Sequence, residues 1–154
     1  MKMVFNVAPR AVQGFRDSIV KDGAGNPRIV RYQTKETREF QRAIATAAQA
    51  ALGSGFMPWT GPIQTRTAFV FAVPQCRRQE YMDSQRSGRP LWVTSRPDLS
   101  DNLHKGFLDA LKGILFRDDA LIVLSESRKV YGWPARIEFE AFRLDVDNEQ
   151  QELF

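Results

Sequence analysis

Four acids bracket one short apolar run. In "RPDLSDNLHKGFLDALKGILFRDD" (96–119), Asp98 and Asp101 precede the run and Asp118 and Asp119 follow it. Carboxylates gathered without matching bases repel one another and raise their own pKa values unless a cation neutralises them. Hard oxygen donors of this kind suit Mg²⁺ or Mn²⁺, with water and a substrate phosphate completing the octahedron. A metal so held acidifies a bound water and stabilises charge on a phosphate under attack, so phosphodiester hydrolysis is the chemistry that fits. Lys105 lies four residues after Asp101, on the same helical face, where its ammonium would hold the scissile phosphate or neutralise transition-state charge. His104 points about 100° away and reads as a surface or DNA-contact residue. Each residue also has a plainer use: Asp101 as a helix cap, Lys105 as an ion-pair partner of Asp101 or Asp109, Asp118-Asp119 as a polar turn.

The elements that must position these groups follow from periodicity. Leu103, Phe107, Ala110, Leu111 and Ile114 form one helical face, with Asp101 at the N-cap position and Gly113 placed to stop the helix. A helix from about Asn102 to Lys112 spans about 16 Å. The chain then turns through Gly113 to Phe116 and returns as a strand beginning near Asp118, a path expected to bring Asp118 or Asp119 to the Asp98/Asp101 end. Upstream, "MVFNVA" reads as a first strand, and "KDGAGNPRIVRY" as a turn feeding an extended run at Ile29 to Tyr32, consistent with a hairpin. "QTKETREFQRAIATAAQAALGSG" has Phe40, Ile44, Ala47, Ala48, Ala51 and Leu52 at helical spacing and Gly53 at its end. "GPIQTRTAFVFAVP" alternates and reads as a central strand. Residues 74–95 read as an extended loop or insertion with a short helix. "ALIVLSESRKVYG" and "ARIEFEAFRLD" read as two strands joined through Gly132, Trp133 and Pro134, with Ile137, Phe139 and Ala141 inward.

At 154 residues the chain is long enough for one well-buried domain over 1–144, followed by an acidic C-terminal tail, 145–154, expected to fray. The single cysteine, Cys76, excludes an intrachain disulfide. Neither a signal-peptide core nor a membrane-length apolar stretch is present, so a soluble, cytoplasmic protein is expected. Net charge is +4, but the tail carries four acids and no base, so residues 1–144 sum to +8. A body this basic suits a polyanion, because each phosphate neutralised releases counterions. Between Arg77 and Arg96 five arginines (Arg77, Arg78, Arg86, Arg89, Arg96) face only Glu80 and Asp83, with Tyr81 and Trp92 interleaved. Guanidinium forks and aromatic faces in one segment suit a phosphate backbone and unstacked bases. No internal repeat, phosphate-binding glycine loop, dinucleotide fingerprint or zinc spacing appears.

The run "RPDLSDNLHKGFLDALKGILFRDDALIV" resembles the signature of the RusA family of Holliday-junction resolvases, common in phage and prophage genomes: an acid pair before Asn, a Lys four residues after the second acid, an Asp-Ala-Leu helix, then a paired acid opening a strand. The flanking helix and strands are similar as well. The resemblance implies an α+β fold with a small mixed β-sheet and packed helices. It implies a Mg²⁺-dependent homodimer, with Mn²⁺ as a substitute, that makes paired symmetric nicks in four-way DNA junctions during recombination and repair. It places Asp98, Asp101 and Asp119 on the metal and Lys105 at the scissile phosphate, with Asp118 either a further ligand or a group orienting Lys105. One departure stands out. The family pattern reads Asp-x-Asp-Asn, whereas Asp98-Leu99-Ser100-Asp101-Asn102 has one residue more; aligning back from Asn102 and Lys105 keeps Asp101 as the second acid. Two other readings stay open: a non-catalytic branched-DNA-binding module, and a nuclease of broader range that takes flaps and forks.

Overall fold

Alternating strands and amphipathic helices build a four-stranded sheet packed against two helices, with a separate two-stranded ribbon, in a computed structural model that describes residues 1–12 and 16–145. The chain opens with β1 (Lys2–Phe5), then a ribbon of β2 (Arg16–Lys21) and β3 (Pro27–Tyr32). Helix α1 (Lys35–Leu52) follows, started by Thr34, whose side chain accepts from the Thr37 amide at 3.3 Å, and ended by Gly53 at φ 80°. Strand β4 (Ile63–Ala72) leads through a 3₁₀ turn (Gln75–Arg77) into α2 (Arg78–Arg86). A π-helical turn (Leu99–His104) runs directly into α3 (Lys105–Leu111), and β5 (Ile122–Gly132) and β6 (Arg136–Arg143) complete the order.

The main sheet has the order β1-β6-β4-β5, with β4 and β5 parallel and the other pairs antiparallel. The α+β expectation and the central position of β4 are both met. A parallel pair needs a long crossover, and the helical segment ending in α3 supplies it. Strands β5 and β6 are joined through Gly132, Trp133 and Pro134, yet they do not pair with each other, because β4 lies between them. The insertion forms α2, and residues 91–93 then lie along the free edge of β5: the Tyr131 amide donates to the Leu91 carbonyl at 2.8 Å and the Val93 amide to the Lys129 carbonyl at 3.3 Å. That cover shields the C-terminal part of the β5 edge.

The core sits between the inner face of the sheet and α1 and α3. Phe5, Ile63, Phe69, Ile137, Phe139 and Ala141 meet Phe40, Ile44 and Ala48 of α1 and Leu103, Phe107 and Leu111. Phe107 is the hub, edge-on to Phe5 at 5.3 Å, Phe69 at 6.0 Å and Phe139 at 5.3 Å. Burying a side chain of that size stabilises by about 1.5–3 kcal/mol, and edge-to-face geometry adds to it. The β2–β3 ribbon, by contrast, is exposed along nearly its whole length. Among the described residues no helix is long and apolar enough to cross a membrane. The fraying expected of the acidic tail falls, from residue 146 on, outside the described residues.

Candidate active site

The helical run that carries Asp101 opens with a widened turn directly after Asp98. The Leu103 amide donates to the Asp98 carbonyl at 3.3 Å, and the Lys105 amide donates to Ser100, each bond spanning five residues instead of four. Asp101 was expected to cap the helix. Asp98 takes the cap position instead, with extended backbone, and receives the Asn102 side-chain amide at 3.4 Å; Asp101 lies inside the first turn and is exposed. The wide turn keeps Leu103 and Phe107 in register with the core, both fully buried. Core registry outweighs regular helix geometry here, as burial of two large side chains exceeds the cost of one poorer turn.

At the other end, Lys112 and Gly113 (φ 76°) stop α3, as the glycine predicts. The Gly113 amide donates to the Phe116 carbonyl at 2.7 Å, and Trp59 clamps the turn from both sides, donating to the Leu115 carbonyl and accepting from the Arg117 amide, each at 2.9 Å. This fixes where Asp118 and Asp119 emerge. The Lys112 ammonium stands 3.1 Å from Asp118 Oδ2 and 3.1 Å from Asp119 Oδ1. Asp118 accepts the Ala120 amide at 3.0 Å. That bond, then Lys112, holds its carboxyl down to about 2. Asp109 moves the other way: partial burial and the charge of Asp119 push its carboxyl up, only partly offset by Lys105 and Lys112.

The expected return of Asp118 and Asp119 to the Asp98/Asp101 end does not occur. Strand β5 runs antiparallel to the helix: Ser125 meets His104 at 3.1 Å, and Lys129 donates to the Ser95 and Pro97 carbonyls at 2.8 Å each. The parallel register of β5 on β4, starting at Ile63 and Ile122, pins the beginning of β5 beside Lys112. Within one chain the two acid pairs therefore stand at opposite ends of the helical run. Along the exposed side of that helix stand Asp101, Lys105, Asp109 and Lys112. Lys105 makes no ion pair among the described residues.

His104 also departs from its expected surface role. It is half-buried, packs edge-on against Phe69 at 6.5 Å, and shares a hydrogen bond with Ser125, whose hydroxyl meets Thr65 at 2.8 Å. Burial holds its imidazole below the ordinary histidine range. The widened turn rotates it onto the sheet. Lys112 and Lys129 were not singled out from the sequence. The only hint of Lys112 was its place immediately before the helix-stopping Gly113; Lys129 gives no sequence signal of the loop it ties down.

The five arginines divide. Arg77 is fastened to Glu80 through two bonds of 2.8 and 2.6 Å and lies 5.1 Å over the Tyr131 ring. Arg86 pairs with Asp83 at 3.3 Å. Arg78, Arg89 and Arg96 are exposed and make no ion pair among the described residues.

Acids at both ends of a Lys-bearing helix, one pair of them just before a strand, are of the residue types that act on a phosphate backbone. The profile of the family described as endodeoxyribonuclease RusA matches residues 15–140. The chain belongs to the RusA family. The match takes in the π-helical turn, α3 and the whole of β5, so every acid considered above lies inside it. No curated protein matches the chain. Membership of the RusA family implies a junction-resolving endonuclease.

Hard carboxylate oxygens such as those of Asp118 and Asp119, which already hold an ammonium between them, are donors that would suit Mg²⁺. Among the described residues no three His, Cys, Asp or Glu side chains gather into a ready cage. Mg²⁺ keeps most of its waters and takes only one or two protein carboxylates beside substrate phosphate, so a pair is enough to begin a site.

Proposed function

We propose that this RusA-family protein is a Mg²⁺-dependent resolvase of four-way DNA junctions, acting as a homodimer that makes paired symmetric nicks during recombination and repair. The observation that supports it most is the half-exposed Asp118–Asp119 pair just before β5, inside the matched segment and holding an ammonium 3.1 Å from each carboxylate. Asp119, with Asp98 and Asp101, would hold the metal, and Asp118 would serve beside them. Bound there, Mg²⁺ supplies Lewis-acid stabilisation of the phosphate and acidifies a water, and Mn²⁺ takes the same oxygen donors. The Ala120 amide, then Lys112, hold the Asp118 carboxyl down to about 2, which favours its ionised form. Lys112 offsets part of the pair's negative charge in the free protein, and Lys105 would offer its ammonium to the scissile phosphate. Arg78, Arg89 and Arg96 hold the flanking backbone, which positions the junction without reading its bases.

The separation of the acid pairs gives the dimer a physical purpose. Asp101, Lys105, Asp109 and Lys112 alternate in sign along one exposed ridge. A second copy laid antiparallel by a two-fold axis would set acid against base, and would bring the Asp98/Asp101 end of one protomer beside the partner's Asp118 and Asp119.

The test is an end-labelled mobile four-way junction and a matched linear duplex, each incubated with the protein and Mg²⁺, Mn²⁺ or chelator. Metal-dependent paired nicks on the junction alone are expected. Equal cleavage of flaps and forks would widen the substrate to branched DNA in general. Junction binding without cleavage under any metal would make the protein a binding module.

A further inference from the structure

An open cleft of about 250 Å³ lies between α2 and the β5–β6 turn, walled by Val73, Arg78, Tyr81, Met82 and Trp133. Its walls are largely apolar and uncovered: Trp133 is 76 % exposed and Met82 52 %. Large exposed aromatic and apolar surface of this kind marks a contact site. Three features define what it would contact. Arg78 lines the cleft, is exposed, and makes no ion pair among the described residues, whereas the adjacent Arg77 is tied back to Glu80 and Tyr131. The surrounding segment from Arg77 to Arg96 carries a net +3. Finally, the cleft sits at the end of β5 that Lys129 fastens to Ser95 and Pro97, the segment that delivers Asp98.

We infer that this cleft receives an unstacked nucleobase, with the Trp133 indole as its stacking platform and Arg78 on the adjoining phosphate. The inference rests on the branched-DNA reading above and gives that reading a base-holding subsite. A nucleobase is flat and apolar on its faces and is joined to a phosphate, which matches an aromatic wall with one cation at its rim. A purely apolar protein partner closing the cleft would bury Arg78 without an acid, an uncompensated cost. Every base has a stackable face, so the subsite would be tolerant of sequence and would favour DNA whose bases are already unpaired, as at a branch point.

Fluorescence anisotropy with a labelled oligothymidylate and a sugar-phosphate strand of equal length lacking bases provides the test. Wild-type protein should bind the base-bearing strand about 5- to 150-fold more tightly. Trp133→Ala should abolish that preference while leaving affinity for the abasic strand unchanged, and Trp133→Phe should retain most of it. Because Trp133 is exposed, the Ala variant should fold normally, which circular dichroism verifies. A preference equal in Trp133→Ala and wild type, or absent from wild type, would overturn the inference. So would loss of self-association in Trp133→Ala with the preference intact, which would assign the cleft to a second copy. Junction cleavage with Mg²⁺, measured in parallel on wild type, separates the two readings: if cleavage persists without a base preference, only the cleft assignment falls.

Discussion

Lys112 governs the acid pair more directly than any other side chain. It reaches Asp118 and Asp119 at 3.1 Å each, and both carboxylates raise its own pKa. Lys112→Ala should therefore lift Asp118 from about 2 toward the ordinary carboxylate range, but not fully, since the Ala120 amide bond is the larger cause and remains. Side-chain carboxyl titration by NMR checks this, and an unmoved Asp118 would show that the ammonium does not hold it. His104 supplies a second residue-scale prediction. Burial holds its folded-state pKa below that of the unfolded chain, so the unfolded chain takes up the proton first as pH falls. Stability is then full above the ordinary histidine range and is lost as pH drops through the folded-state pKa. Denaturation at about pH 8 and about pH 5 should show this loss in wild type and a smaller one in His104→Asn, which carries no titrating ring.

At the scale of elements, the helix carrying these residues is set by two contacts. Phe107 anchors it to the sheet, and Gly106 lets Val12 press against its backbone, where an added Cβ would overlap the Val12 side chain. The Val12 amide also donates to the Asn102 carbonyl at 2.8 Å. Glycine inside a helix costs about 1 kcal/mol relative to alanine, so Gly106→Ala tests which effect wins. Overlap with Val12 should dominate, destabilising by about 1–3 kcal/mol in chemical denaturation; a stabilised variant would show that the contact yields. Much of this framework is legible in the sequence. The period of α1, the alternation of β4 and β6, the hairpin turn and the Gly113 stop all depend on local patterning, and all stand. What is not legible depends on registry between distant elements. Nothing local says that β5 will pair parallel with β4, and that pairing, with the Trp59 clamp on the preceding turn, keeps Asp119 away from Asp98. Likewise the wide turn at Leu99–His104 follows from the need to keep Leu103 and Phe107 in the core, so Asp98 caps and His104 turns inward. Lys129 bridges to carbonyls more than thirty residues away, a partnership no spacing rule can reveal.

For the whole molecule, charge and symmetry decide the behaviour. The +8 of residues 1–144 should make junction binding steeply salt-dependent, but the cations are unequal. Replacing Arg78, Arg89 and Arg96 with Ser should shallow the salt slope by up to about 0.9 for each phosphate left without its guanidinium. Arg77→Ser should leave the slope unchanged, since that guanidinium is held by Glu80 and Tyr131. Equal effects from all four would show that the ion pairs do not survive on DNA. The central proposal, however, is chemical: that the acid pair just before β5 takes part in cutting DNA. The direct measurement is junction binding and Mg²⁺-dependent cleavage by Asp119→Asn beside wild type. Retained binding is expected, with cleavage reduced by more than the roughly 10- to 100-fold that loss of an outer-shell metal partner brings. Cleavage at the wild-type rate would remove Asp119 from the active site and contradict the account.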